Sequence, residues 1–131
     1  SARQTFEKGL ELIGKMHEAG VPILAGTDVA NPYCFCGFSL HDELELLVKA
    51  GLTPAEAIGR NAQPGQDLDR EKDLGAVEKG KLADLVLLDA DPLTNIRNTQ
   101  RINGVIVAGK LLMRDTLDKM LAEVEAEASK P

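Results

Sequence analysis

The first part of the chain combines apolar stripes of helical period with one short run that is apolar throughout. Between residues 6 and 19, large apolar side chains recur every three or four positions, which predicts an amphipathic helix that Thr5 caps and Gly20 ends. The run from 21 to 26 has no polar alternation, as in a strand that is buried on both faces of a parallel sheet. Thr27 and Asp28 follow directly and close this predicted strand.

Two further helices are predicted after a loop at 29–38. Ser39 begins the first of them, with Asp42 three residues later as in a capping box, and Gly51 ends it. Its buried stripe consists of Leu44, Leu47 and Val48. The segment 53–56 has a capping Thr, a Pro at the first helical position and a Glu three residues on, which predicts the second helix. This order is typical of βα-type organisation.

The pattern changes to strands beyond a polar stretch at 61–73, which is typical of a linker or a surface loop. Residues 82–88 predict a strand after a turn at 79–81, and residues 104–112 predict two short strands around a glycine turn. A last apolar stripe predicts a C-terminal helix that Asp115 caps. We therefore divide the chain into a helix–strand–helix part (1–62), a linker (63–74), a strand region (75–113) and a C-terminal helix (114–131).

Composition narrows the classes of partner. The 131 residues are 44% hydrophobic and 27% charged, as expected of one globular domain, but only 3% aromatic, which argues against a stacking platform for bases. The net charge of −6 repels phosphate backbones and anionic lipids, so we expect no nucleic-acid partner and no membrane partner. The sequence contains no apolar run of about 18 residues and no signal-peptide core at its start, so we predict a cytoplasmic protein.

The two cysteines, Cys34 and Cys36, are separated by one residue. A disulfide between them would be strained, because alternate residues of an extended chain point to opposite sides. They could supply half of a thiolate metal site, but the sequence has no second cysteine pair to complete it. Reduced thiols in a loop are the simpler interpretation, and they agree with a cytosolic location.

Three side chains are candidates for chemistry. Asp28 follows the predicted buried strand, and the ends of such strands hold the active sites of barrels, although Asp is also common in turns. His41 stands just past the predicted helix start, where it could orient the loop or Asp28 by a hydrogen bond, or be purely structural. His17 lies near a helix end, where an imidazolium interacts favourably with the dipole, so we predict a surface position for it.

Four segments of the sequence are informative together: Ala-Gly-Thr-Asp at 25–28, Ser-Leu-His-Asp-Glu-Leu at 39–44, Gly-Leu-Thr-Pro-Ala-Glu-Ala at 51–57, and Gly-Ala-Val-Glu-Lys-Gly-Lys-Leu-Ala-Asp-Leu-Val-Leu-Leu-Asp at 75–89. Their order and spacing resemble the end of the amidohydrolase superfamily, in the branch that contains imidazolonepropionases and prolidase-like dipeptidases. The resemblance extends from about residue 6 to residue 112, and its most specific block is 75–89.

The resemblance implies a (β/α)8 TIM barrel followed by a small β-sandwich. Residues 23–26 would be the eighth barrel strand, and Asp28 would be the metal-ligating aspartate that also takes the proton from the attacking water. The remaining ligands of the family, a His-x-His pair, a lysine and two further histidines, would belong to sequence upstream of Ser1. Asp84 and Asp89 are interpreted as structural residues of a turn and a strand edge.

Our leading hypothesis is an α/β chain that forms the last βα units of such a barrel, part of the sandwich and a C-terminal helix. The complete parent would hydrolyse amide-type C–N bonds of a small molecule or dipeptide with Zn²⁺, using Asp28 as catalytic base and metal ligand and Asn31 and His41 as orienting residues of the substrate loop. This chain alone would be inactive, would hold no zinc stably, and would pair with the rest of a barrel or form a homo-oligomer. The alternative is a non-catalytic remnant that acts as an oligomerising structural or interaction module.

Overall fold

A computed structural model describes residues 1–29, 31–62 and 75–130, with the backbone alone at 60–62. Within these ranges the chain forms helices α1 (Ala2–Glu18), α2 (Phe38–Lys49) and α3 (Pro54–Ala62), strand β1 (Leu85–Leu88), a 3₁₀ helix (Ile96–Gln100), strands β2 (Ile102–Val107) and β3 (Lys110–Met113), and helix α4 (Arg114–Ala128). The predicted C-terminal helix is thus confirmed. The predicted linker, 63–74, lies outside the described residues.

The three strands form one antiparallel sheet in the order β1-β2-β3. Strands β2 and β3 are joined by Ala108 and Gly109, both with positive φ (49° and 79°), which is the geometry of a type I′ hairpin turn. This confirms the two predicted strands around a glycine turn. Strand β1 begins three residues later than predicted, because Ala83 and Asp84 instead accept the hydrogen bonds of this turn, from Gly109 N–H at 3.0 Å and Ala108 N–H at 2.6 Å.

Helix α3, the second of the two helices predicted after the loop at 29–38, begins as predicted. The side chain of Glu56 accepts a hydrogen bond from the backbone N–H of Thr53 at 2.8 Å, and the Thr53 hydroxyl accepts one from the backbone N–H of Glu56 at 3.2 Å. These reciprocal bonds are the capping box that the sequence predicts. The two residues of this capping box are three positions apart, so the local sequence contains both partners of these bonds.

The other three helices begin at residues that the sequence analysis did not choose. Helix α1 starts after Ser1, whose amino group donates to Gln4 Oε1 at 2.8 Å, so Thr5 lies inside the helix. Helix α2 starts after Gly37, which adopts φ 82°, and the predicted cap Ser39 instead accepts the Phe35 N–H at 2.8 Å and so holds the preceding turn. Helix α4 follows β3 directly, which places Asp115 in its first turn rather than at its cap.

Residues 21–26 do not form the predicted strand. A strand requires a neighbouring strand to take its N–H and C=O groups, and in the described part of the chain no strand lies beside this segment. Ile23 and Ala25 instead pack against the core as partly buried side chains. The predicted eighth strand of a barrel is therefore not formed in this structure.

The core is small and lies between the helices and the 3₁₀ helix. Its buried side chains are Leu44, Leu47, Leu52, Ala57 and Ile96. Leu44 and Leu47 confirm the predicted stripe of α2, and Ile96 comes from the second half of the chain. Helix α1 approaches α2 at Gly14, where a Cβ would lie 2.3 Å from the carbonyl oxygen of Ala50.

Two side-chain contacts join the first half of the chain to the 3₁₀ helix. Arg97 Nε donates to Glu45 Oε2 at 2.9 Å, and His41 Nδ1 lies 3.0 Å from Thr99 Oγ1. With Ile96 in the shared core, these contacts pack the first half against the strand region. None of the helices in the described ranges has the length and apolar composition that crossing a bilayer requires.

Candidate active site

Asp28 and Asn31 lie side by side in the turn that follows residues 21–26. The Asn31 side-chain amide donates to Asp28 Oδ2 at 2.6 Å and to the Asp28 carbonyl oxygen at 3.2 Å. Asp28 has φ 50°, a left-handed conformation that Asp tolerates better than most residues. The structure thus brings together two of the three predicted site residues.

The carboxylate of Asp28 is exposed, and one of its two oxygens is fixed by the amide of Asn31. An ionised carboxylate can accept at both oxygens, so the second remains chemically suited to bind a cation or to accept a proton. The contact to Asn31 sets the direction of the carboxyl plane without neutralising its charge. This geometry suits the role of ligand and base that the resemblance implies for Asp28.

His41 lies in the first turn of α2 and is half-buried. The Thr99 hydroxyl donates to the Ile96 carbonyl oxygen at 2.8 Å, so its oxygen is left to accept the proton on His41 Nδ1. In the neutral ring, Nε2 is then the acceptor. No hydrogen bond links His41 to Asp28 or Asn31, all three of which the structure describes, so the imidazole is oriented by the 3₁₀ helix and not by the Asp28 turn.

The surface position predicted for His17 is wrong. Its side chain is only 16% exposed, because the end of α1 lies against the start of α3, with His17 Nε2 3.6 Å from Glu56 Oε2. The other ring nitrogen, Nδ1, is buried and has no hydrogen-bond partner in the described part of the chain. The spacing contained the signal: His17 is four residues after the partly buried Ile13, and therefore lies on the same face of α1.

Two carboxylates that follow the linker are structural, as predicted. Asp84 accepts from the hairpin turn, and Asp89 Oδ1 accepts from the Asn103 side-chain amide at 2.7 Å. Asp89 also donates its backbone N–H to the Arg101 carbonyl oxygen at 2.8 Å. Both side chains therefore hold the sheet together at its ends.

Among the described residues, the side chains that could bind a metal ion do not form a cluster. Cys34 and Cys36 are free thiols, and no group of three or more His, Cys, Asp or Glu side chains is arranged to hold a metal ion in residues 1–29, 31–62 and 75–130. Asp28 fits the requirement for one oxygen ligand. A stable site needs three or four ligands, so the others would have to come from elsewhere.

Comparison with known sequences gives the same family for most of the chain. A sequence model described as the amidohydrolase family matches residues 1–112. An imidazolonepropionase of Shouchella clausii (strain KSM-K16) is 33% identical over 107 residues, which are 75% of this chain and 23% of that protein. An imidazolonepropionase of Treponema denticola is 38% identical over 82 residues, which are 58% of this chain and 19% of that protein.

Two solved structures resemble the fold. A Xaa-Pro dipeptidase with methionine bound in its active site superposes with a TM-score of 0.69 and 30% identity, over 79% of this chain and 25% of the dipeptidase. Molinate hydrolase superposes with a TM-score of 0.64 and 29% identity, over 76% of this chain and 25% of the hydrolase.

The chain spans about a quarter of the length of these relatives. The matched part runs from α1 through the Asp28 turn to strand β3, and so includes the candidate site and the sheet. On the match over residues 1–112, the chain belongs to the amidohydrolase family.

Proposed function

We propose that this chain is the C-terminal part of a metal-dependent hydrolase that cleaves amide-type C–N bonds of a small molecule or dipeptide. The observation that carries the proposal is the Asp28 turn, in which an exposed carboxylate is held by Asn31 within a sequence that matches the amidohydrolase family. The names of the relatives, imidazolonepropionase and Xaa-Pro dipeptidase, support the substrate class.

In this proposal Asp28 has two tasks. It supplies one oxygen ligand to a divalent metal, which we propose to be zinc, and its carboxylate accepts the proton of the attacking water and passes it to the leaving nitrogen. The chemistry that the bound metal supplies is a water that can lose its proton near neutral pH. Asn31 keeps the carboxylate in one orientation during both transfers. His41 has an indirect role in this proposal. Its bond to Thr99 holds the start of α2, and with it the loop before α2, in position.

The remaining metal ligands would come from the rest of a TIM barrel. The helices of this chain would contribute the last units of that barrel, and its sheet would be part of a β-sandwich.

A second candidate function is a non-catalytic oligomerising module. Large apolar side chains on the surface of the first half favour it, among them Phe6, Leu12, Leu24 and Phe35. The coding sequence upstream of Ser1 discriminates between the two, because only the enzyme requires a contiguous barrel with a His-x-His pair.

Asp28→Asn in the complete parent tests the catalytic proposal. The amide has nearly the same shape but cannot accept the proton, so turnover should be abolished while the circular dichroism spectrum is kept. His41→Asn should lower turnover by no more than about tenfold if the residue only orients the loop. Asp89→Asn is the matched control, because its side chain serves the sheet, and it should retain turnover. Near-normal turnover of Asp28→Asn would refute the assignment.

We further expect this chain by itself to bind zinc weakly, because one carboxylate is far from a complete ligand set. Equilibrium dialysis against a weak chelator measures the retained zinc. Stoichiometric retention would contradict the expectation, and its loss in a Cys34→Ser, Cys36→Ser double variant would place the metal on the thiols.

A further inference from the structure

A cavity of about 490 Å³ lies between the start of α2, the end of the 3₁₀ helix with β2, and one face of α4. Its walls are mostly apolar, with Ile102, Val105, Leu117 and Leu121 among the lining side chains. Among the lining side chains, His41 and Arg114 can carry a positive charge. This volume lies in the range of pockets that hold small organic molecules, and Asp28 and Asn31 do not line it.

His41 presents an acceptor to this cavity. Its Nδ1 proton is directed to Thr99, which in turn donates to Ile96 O, and Thr99 is not part of the cavity wall. The ring edge that faces the cavity is therefore the one with Nε2, which carries a lone pair in the neutral ring. Nε2 makes no hydrogen bond with any residue that the structure describes, so it can accept one from a ligand.

Arg114 does not give the cavity a net positive charge. Its Nε and Nη2 contact Asp118 Oδ1 at 2.9 and 2.8 Å, and its Nη1 donates to the Ile102 carbonyl oxygen at 3.1 Å. The Asp118 carboxylate balances the charge of the guanidinium, so an anionic ligand would have to compete with Asp118 for Arg114. With a neutral His41, the cavity is complementary to an uncharged molecule.

We propose that this cavity binds a neutral, mostly apolar small molecule with one O–H or N–H group, which donates a hydrogen bond to His41 Nε2. The apolar body fills the space between Val105 and the α4 side chains, and the donor end reaches His41. The site is separate from the Asp28 turn, and the proposal does not depend on the proposed hydrolase activity.

A pair of probes tests this proposal on the whole chain. 4-Phenylphenol has an O–H donor, and 4-methoxybiphenyl has nearly the same apolar body without it. We expect the phenol to bind with one-to-one stoichiometry and about three- to tenfold more tightly than the ether, measured by isothermal titration calorimetry. In His41→Phe the two probes should bind equally. Equal affinities for the unaltered chain, or no saturable binding of the phenol, would overturn the proposal even if His41→Phe failed to fold.

Cys36 allows the bound probe to be located. Its thiol is exposed and lines the cavity, whereas Cys34 does not line it. Saturating 4-phenylphenol should slow the reaction of Cys36 with a maleimide by at least about fivefold if occupancy exceeds about 80%, and leave the rate at Cys34 unchanged, as followed by peptide mass spectrometry. An unchanged rate at Cys36 would show that the probe binds elsewhere and would contradict the proposed site.

Discussion

Gly14 is the residue at which α1 comes closest to α2, and any side chain there would collide with the backbone. A Cβ would lie 2.3 Å from Ala50 O, and a backbone carbonyl cannot turn aside as a flexible side chain can. We therefore expect Gly14→Ala to lower the free energy of unfolding by about 1–3 kcal/mol through overpacking. Urea denaturation followed by circular dichroism measures this loss.

Gly9→Ala is the matched control, since Gly9 lies in the same helix and a Cβ there would meet nothing within 4 Å. Both substitutions gain the helix propensity of Ala, about 1 kcal/mol, so the difference between them isolates the contact with Ala50. Equal stability of the two variants would show that α1 does not pack on α2 through Gly14.

Glu11 and Lys15 illustrate a residue-scale effect of pH. The hydrogen bond from Lys15 at 2.6 Å, reinforced by the charge of Lys15, holds the pKa of the Glu11 carboxyl below its usual value, and the same contact raises the pKa of Lys15 above its usual value. The carboxylate contributes stability above its unfolded pKa and loses it as the pH falls through the lowered folded value. The ammonium contributes below its unfolded pKa and loses it as the pH rises through the raised folded value.

The contribution of this pair should therefore form a plateau around neutral pH and decline in acid and in strong base. The unaltered chain and a Glu11→Gln, Lys15→Gln double variant should differ in Tm by a constant amount on the plateau. That difference should shrink once the pH passes below the folded pKa of Glu11. The expected difference is small, because exposed ion pairs are screened by solvent. A difference that grew on acidification would be inconsistent with the pair.

At the residue scale, contacts between residues that are near in the chain are the more accessible to sequence reasoning. Asp28 and Asn31 are three residues apart, with Asp28 at the end of the predicted strand and Asn31 in the predicted loop at 29–38. The partner of His41 is Thr99, 58 residues away, which no local pattern reveals. The burial of His17 also depends on a distant helix, although the spacing from Ile13 indicated the correct face.

At the scale of elements, the β2–β3 hairpin contains a position that the sequence leaves suboptimal. Ala108 adopts φ 49°, and an alanine in the left-handed region loses about 1–2 kcal/mol relative to its preferred conformation. Asn is favoured at the first position of a type I′ turn, so Ala108→Asn should raise the free energy of unfolding by about 0.5–1 kcal/mol. Thermal denaturation measures the gain.

Gly109→Ala, at the neighbouring position, should change the free energy of unfolding in the opposite direction, because Gly109 also has positive φ (79°). It should destabilise the chain by about 1 kcal/mol. If Ala108→Asn were neutral or destabilising, the turn would not have the left-handed geometry at both positions.

The elements differ in how far their own sequence specifies them. The capping box of α3 formed as predicted because both of its residues, Thr53 and Glu56, lie in the same helical turn. The similar capping box predicted at Ser39 did not form, because α2 already begins after Gly37. The Ser39 hydroxyl instead accepts the hydrogen bond of the Phe35 N–H. Residues 21–26 have the apolar character of a buried strand. A strand forms only beside another strand, and none of the described residues forms a strand next to this segment.

At the scale of the whole molecule, the first half leaves large apolar side chains exposed around a small core. Leu24 remains 57% exposed, and each large apolar side chain left in water forfeits about 1.5–3 kcal/mol of burial. We therefore expect an ordered form of this chain to be a homo-oligomer or to be covered by a larger polypeptide, with the first half at the contact. Sedimentation at low micromolar concentration measures the association.

Two matched variants locate the contact. Leu24→Glu should weaken association by at least about tenfold, because burying an unpaired charge at a contact is unfavourable. Leu93→Glu alters the same residue type at almost the same exposure, 56%, but in the second half, and should leave association unchanged. A stable monomer with cooperative unfolding would show that the first half is self-sufficient, and the expectation would be wrong.

The contacts between α2 and the 3₁₀ helix also have a kinetic consequence. The β2–β3 hairpin closes over a two-residue turn and can form within microseconds. The pair Glu45–Arg97 spans 52 residues, so its formation must first overcome the entropy of closing a long loop. The hairpin and the helices should therefore appear early in refolding, while the joining of the two halves, and with it the orientation of His41, should be the slow and last event.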